Sequence, residues 1–170
     1  MELKEYIGIE FEGLERNLTR VTNGLTQQEL MWRPASGCNS IGLILFHMAR
    51  FEDSFVHTRI QSKPEIWVTE KWYEKLNIAE NEAGAHYTME QVNCFPVPDL
   101  KNLLAYHSKV RSETLNFLKS MPPDMFDKKI TLPHFGELSV GRIFSIITGH
   151  LSQHIGEISY MRGIKRGMDK

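Results

Sequence analysis

"GHLSQHIGEI", residues Gly149–Ile158, sets His150 and His154 four positions apart within an otherwise largely apolar run. Four residues is about one helical turn, so both imidazoles leave a helix on the same side. The spacing continues in both directions: Ile143, Ile146, Ile147, His150, His154, Glu157 and Met161 share one stripe. That stripe predicts a helix from about Ser139 to about Gly163. Two readings explain polar rings on an apolar stripe. They are core histidines with hydrogen-bond partners, or they are two ligands of one metal ion.

The same periodicity gives three more long helices. The first spans roughly Leu3 to Val21, with Ile7, Phe11, Leu14, Leu18 and Val21 at spacings of three and four. Gly24 suits its end. "TQQE" reads as a capping box between Thr26 and Glu29, opening a short helix that stops before Pro34. The second long helix starts near Ser40 and runs through "IGLILFHMARFEDSFVHTRIQ". Its inner face carries Leu43, His47, Arg50 or Phe51, Ser54 and Thr58 at about 100° per residue.

Ser62 to Pro98 is a long connection punctuated by Pro64, Gly84, Pro96 and Pro98, within which "EKWYEKL" supplies a turn or two of helix. The third long helix begins at Asp99 as N-cap and reaches about Met121. Leu100, Leu103, Leu104, His107, Val110, Leu115 and Leu118 form its stripe. "KKITLPHFGELSV" holds two short extended runs around "PHFG", which predicts a small β-hairpin ahead of the last helix.

Four amphipathic helices in 170 residues predict an all-α four-helix bundle, one domain over 1–170. The 62–98 connection is long enough to carry the chain back across the bundle. The expected topology is therefore up-down-down-up, with the second and fourth long helices antiparallel. His47 lies about seven residues into its helix, roughly 10 Å, and His154 about nine residues from the end of its own, roughly 14 Å. Antiparallel packing puts these positions at similar levels and makes His47 the third member of the group. Three neutral imidazoles leave coordination positions for water or substrate, whereas closed structural sites use four protein ligands.

The remaining polar residues rank behind this trio. His107 reads as a packing residue of the third helix, with a place beside the ligands as its second reading. Glu157 reads as half of an internal salt bridge, or as an acceptor that orients a ligand imidazole through its ring N–H. His57 is rotated well off the His47 face, and His86 and His134 fall in irregular segments. Gly42, Gly149 and Gly156 weaken their helices by about 1 kcal/mol each relative to Ala, which close helix approach would explain.

Composition narrows the function class. The chain is 41% hydrophobic and 24% charged, with a net charge of −1, ordinary values for a globular domain. Without a basic excess, neither nucleic acid nor an anionic membrane surface is an expected partner. No apolar run approaches the roughly 20 residues of a membrane span. The opening "MELKEYIGIEFEGLER" is broken by charges and does not read as a signal peptide. Cys38 and Cys94 have no CxxC spacing, so a reducing, cytoplasmic setting is expected. GxSxG, GxGxxG and P-loop patterns are missing. Trp32, Trp67, Trp72 and Tyr73 read as packing or pocket walls.

Two segments, "MWRPASGCNSIGLILFHMARFE" and "GHLSQHIGEISYMRG", resemble the DinB-like, or YfiT-like, metal-binding four-helix-bundle superfamily. The first has that family's Trp-x-Pro, Asn-Ser-Ile-Gly and helix histidine in order. The second has its His-x-x-x-His helix followed by Arg-Gly. The middle of the chain, about 62–135, contributes little to the likeness. The resemblance implies an up-down-down-up bundle holding a divalent metal, zinc or nickel, on His47, His150 and His154. It implies a homodimer acting on a small-molecule substrate. It also implies thiol-dependent transfer or isomerisation with a low-molecular-weight thiol, or metal-dependent hydrolysis. The expected function is thus activation of water or a thiol at a three-His centre, with no side chain assigned as catalytic. A non-catalytic metal-binding or stress-response bundle is the alternative, and an interaction bundle with metal-free core histidines the third reading.

Overall fold

The computed structural model describes residues 2–167. Helix α1, Leu3–Thr22, buries Ile7, Phe11, Leu14, Leu18 and Val21. Helix α2, Gln27–Met31, opens on the Thr26–Glu29 capping box, in which each side chain accepts from the other residue's backbone N–H. Helix α3, Ile41–Asp53, is capped by Ser40, whose hydroxyl accepts from the Leu43 N–H, and it continues as a π-helical segment over Ser54–Ile60. The connection that follows contains the short helices α4 (Ile66–Thr69), α5 (Trp72–Leu76) and α6 (Met89–Cys94). Helix α7, Leu100–Ser120, starts on the Asp99 cap. Strands β1 (Lys129–Leu132) and β2 (Gly136–Ser139) form an antiparallel hairpin with Leu132 opposite Gly136. Helix α8, Val140–Arg166, follows directly on the Ser139 cap. The chain is therefore mostly helical with one small hairpin, as the periodicity predicts.

The four long helices close around one core. α1 packs on α8, and α3 packs on both α7 and α8. Phe11, Phe46, Trp67, Tyr106 and Phe144 are fully buried at its centre. Arg111 of α7 donates to the Phe11 carbonyl of α1 (3.1 Å). At the far end of α8, Arg162 donates to the Val21 and Asn23 carbonyls (3.2 and 2.6 Å). Arg166 binds Glu29 and the Gly24 carbonyl. The Arg166 guanidinium holds the Glu29 carboxyl down at about 2. These two arginines neutralise the carbonyls left free where α1 ends.

The structure departs from the sequence pattern at Thr58 and at Gly149 and Gly156. The π segment turns by roughly 80° per residue in place of about 100°. Over Ser54–Ile60 that difference carries Thr58 off the inner face, and it is exposed. His57 does lie off the His47 face, yet it is buried, with Nδ1 2.9 Å from Asp53 Oδ1. Among the glycines, Gly42 is a close approach: a Cβ there would sit 2.2 Å from Val97 Cγ1. Gly149 and Gly156 face open space, so helix contact does not explain them.

Helix α3 also buries charge. Glu52 is fully buried and forms a two-pronged pair with Arg111 (2.9 and 2.7 Å). Asp53, likewise fully buried, accepts from the Ile66 N–H (2.9 Å), the Trp67 N–H (2.9 Å) and the Tyr106 hydroxyl (2.7 Å). It therefore caps α4 from outside the connection's own sequence. Burial disfavours both carboxylates, but their donors outweigh it and both are held below the usual range. Arg50 adds a bond to Glu65 (2.6 Å), and the Trp67 indole donates to the Glu80 carbonyl (2.7 Å). The polar residues of α3 thereby tether the connection to the bundle.

His107 is 3% exposed, and neither ring nitrogen has a hydrogen-bond partner among the described residues. Burial, with Arg111 nearby, lowers its pKa from 6.5 to about 4. The unfolded chain binds a proton here at pH 5 and the folded chain does not, so this group destabilises the fold as pH falls below about 6.5. The decline amounts to about 3 kcal/mol by pH 4. Urea titrations between pH 7 and pH 4 should show His107→Leu losing less stability than the parent by about that amount.

Candidate metal centre

Among the described residues, one group of three metal-competent side chains converges: His47, His150 and His154, whose ligand atoms all lie within 4.8 Å of one another. Helix α3 supplies the first and α8 the other two, one turn apart, across the α3–α8 contact. On α8 the buried line runs through Ile147, Leu151, Ile155 and Ile158. The two histidines sit one position before Leu151 and Ile155, half-buried at the edge of the core. The rings therefore lie at the margin of the core and do not fill the interior.

Backbone and carboxylate partners set the ring orientations. His47 Nδ1 lies 2.6 Å from the Gly84 carbonyl, which can only accept, so Nδ1 carries the proton and Nε2 presents a lone pair. His154 Nδ1 lies 2.7 Å from Glu157 Oε2, which leaves its Nε2 free in the same way. His47 Nε2 is 2.8 Å from His150 Nε2. Nitrogens on a shell of about 2.0–2.1 Å around a zinc ion stand roughly 3 Å apart, so the spacing fits a shared cation. The three rings are close to mutually perpendicular, at 72°, 86° and 87°.

The surroundings are apolar. Phe51 stacks on His150 at 3.9 Å and on Phe55 at 4.1 Å, and Phe55 meets Phe135 of the hairpin turn edge-on. Burial, together with the other two histidines, brings His150 down to about 4. Burial also lowers His47, with His154 adding to the effect and the Gly84 carbonyl opposing it. Both rings are therefore neutral and available as donors at physiological pH.

Of the other residues singled out from sequence, Glu157 touches the group through His154 and is exposed. His107 lies outside it, in a cleft between α1 and α7. Sequence reasoning missed Gly84. Its φ is +75°, and a Cβ there would meet Arg50 Cβ at 2.7 Å. Only glycine lets the backbone lie this close to α3 and offer its carbonyl to His47. A lone glycine in an irregular stretch carried no signal of that role. Gly84→Ala should displace the carbonyl and weaken zinc binding about 10-fold, the lower range for loss of a partner behind a ligand. Titration against a chromophoric chelator measures it.

The sequence model described as the DinB superfamily matches residues 10–158. Among solved structures, the chain is similar to a conserved protein from Enterococcus faecalis. The TM-score is 0.86 at 18% identity, with 99% of each chain covered. No curated protein matches the sequence.

Proposed function

The chain belongs to the DinB superfamily, and from that premise we propose that it is a metal-dependent enzyme with His47, His150 and His154 as metal ligands. The observation that carries this reading is the convergence of three imidazoles with two of their outer nitrogens already committed to Gly84 and Glu157. An all-imidazole donor set suits zinc or nickel. A divalent ion held there supplies Lewis acidity that favours the deprotonated form of a water or thiol near neutral pH.

The chain's own residues do the positioning. The Gly84 carbonyl holds the His47 ring, and Glu157 holds that of His154. Phe51, Phe55 and the half-exposed Phe135 make an aromatic wall beside the triad, where the apolar part of a small electrophile can rest while excluding water. Hydrolysis and S-transfer from a low-molecular-weight thiol share this activation. We read the bundle as up-down-down-up, a reading supported by the Arg162 contacts that place the C-terminal ends of α1 and α8 together. A cytoplasmic homodimer acting on a small molecule is the assembly and setting we propose. No helix among the described residues is long and apolar enough to cross a membrane.

The test begins with elemental analysis of protein purified without a histidine tag, before and after reconstitution with zinc or nickel. Near-stoichiometric metal is the expected result, and none after reconstitution would sink the reading. Loaded protein is then assayed with several low-molecular-weight thiols and electrophiles, beside ester and amide hydrolysis. Turnover that disappears on chelation marks an enzyme, whereas tight metal with no turnover would favour the non-catalytic alternative.

A further inference from the structure

A cleft of about 500 Å³ lies between the C-terminal half of α7 and the π-helical segment with the start of the connection. That volume falls within the usual range of small-molecule sites, roughly 300–1,000 Å³. His57 forms its buried wall, with the ring held from behind. Nδ1 lies 2.9 Å from Asp53 Oδ1 and 3.2 Å from the Asp53 carbonyl, which only accept, so Nδ1 carries a proton. Nε2 has no hydrogen bond among the described residues and is not sealed from solvent; the ring's remaining exposure opens on the cleft. Asp53 is itself fixed by two backbone N–H groups and the Tyr106 hydroxyl, so the ring is set in place before any ligand arrives.

The facing wall sets what meets it. Glu113 of α7 lines the cleft and pairs with Lys109 (2.9 Å). Lys109 also binds Glu70 (3.0 Å), and Lys63 donates to Gln61 (3.1 Å). His57 faces the Asp53 carboxylate. The charges around the cleft are thus matched among themselves, and none is left over for an ionic ligand. Hydrogen-bonding capacity remains. Thr69 and Ser120 donate their hydroxyls to the Glu65 and Phe117 carbonyls (3.2 and 2.9 Å), which leaves their oxygens free to accept. His57 Nε2 donates when the ring is charged and accepts when it is neutral. A hydroxyl donates and accepts through one atom, so it suits this mixed wall in either state of His57.

We propose that this cleft is a second ligand site that takes a neutral polyhydroxylated molecule of monosaccharide size, with His57 Nε2, Glu113, Thr69 and Ser120 bonding its hydroxyls. The site shares no residue with the histidine triad and needs no metal.

The probe is D-glucose, with cyclohexanol and gluconate as matched controls, added to metal-free protein while the His57 ring signals are followed by NMR. Glucose should shift them saturably, with a dissociation constant in the millimolar range. Cyclohexanol, with one hydroxyl, and gluconate, with a charge, should each bind at least tenfold more weakly. Glu113→Leu, at a partly exposed position, should weaken glucose about tenfold while circular dichroism stays native. Glucose binding to His57→Leu, followed through the Asn116 side-chain amide, should fall below detection, with fold checked in the same way. His150→Ala should bind glucose as the parent does, which separates this site from the metal centre. Equal binding of cyclohexanol or gluconate would overturn the proposal. So would unchanged affinity in Glu113→Leu, or no saturable shift with glucose.

Discussion

The His150→Ala protein is expected to lose tight zinc or nickel binding while staying folded. His150 Nε2 lies 2.8 Å from His47 Nε2, and the His150 ring is half-buried at the core edge. Removing it leaves two of the three proposed ligands, on separate helices. Loss of an outer partner alone typically weakens metal affinity by about 10- to 100-fold, so loss of a ligand should exceed about 100-fold. Helical circular dichroism and the urea midpoint should change little, because Leu151, Ile155 and Ile158 keep the α8 packing surface. The Glu157→Gln protein provides a graded comparison. It keeps an acceptor oxygen near His154 but removes the charge, so about a tenfold loss is expected. If His150→Ala retained parental affinity in competition with a chelator, the ligand assignment would be wrong.

The Asp53→Ala protein should be destabilised by about 3–5 kcal/mol, the range for removing one partner from a buried charged network. Ala leaves the Ile66 and Trp67 N–H groups and the Tyr106 hydroxyl without their acceptor. His57 loses its partner too; burial alone would lower its pKa, and the Asp53 carboxylate is what holds it above the ordinary value. A histidine raised in this way adds stability that is fully present below about pH 6.5 and is lost as pH rises through the raised value. The variant should therefore show a flatter stability profile above about pH 6.5 than the parent. Hydrogen exchange should locate the damage first in α4 and the rest of the connection, with the α1–α8 contact still protected. Asp53→Asn should be milder, since one amide oxygen can still receive a backbone N–H. Uniform exchange across the chain in Asp53→Ala would show that the connection is not held this way.

These two outcomes separate what is local from what is not. The four long helices were legible because each carries a repeat at spacings of three and four. Three of their starts were legible because Ser40, Asp99 and Ser139 are chemical caps that bond within three residues. The hairpin was legible from its short extended runs around a turn. The Thr58 position was not, because a switch to π-helical winding depends on what packs beyond it. Nor was the burial of Glu52 and Asp53 on α3, since Arg111 lies 59 positions after Glu52, and the N–H of Ile66 and the Tyr106 hydroxyl lie 13 and 53 positions after Asp53.

The sequence by itself determined the long helices and the pair His150 and His154, because periodicity and i, i+4 geometry are properties of neighbouring residues; His47 joined the pair only through the expected packing of its helix and the family resemblance. Tertiary structure decided the rest. It put the trio's nitrogens within reach of one another, brought the Gly84 carbonyl to His47 through a connection tied down by Asp53 and Arg50, and left His107 unpartnered in a separate cleft. Each of these needs two distant segments held at a fixed separation. Hydrogen bonds fall away within about an ångström of their best distance, and no local pattern in a chain encodes that separation.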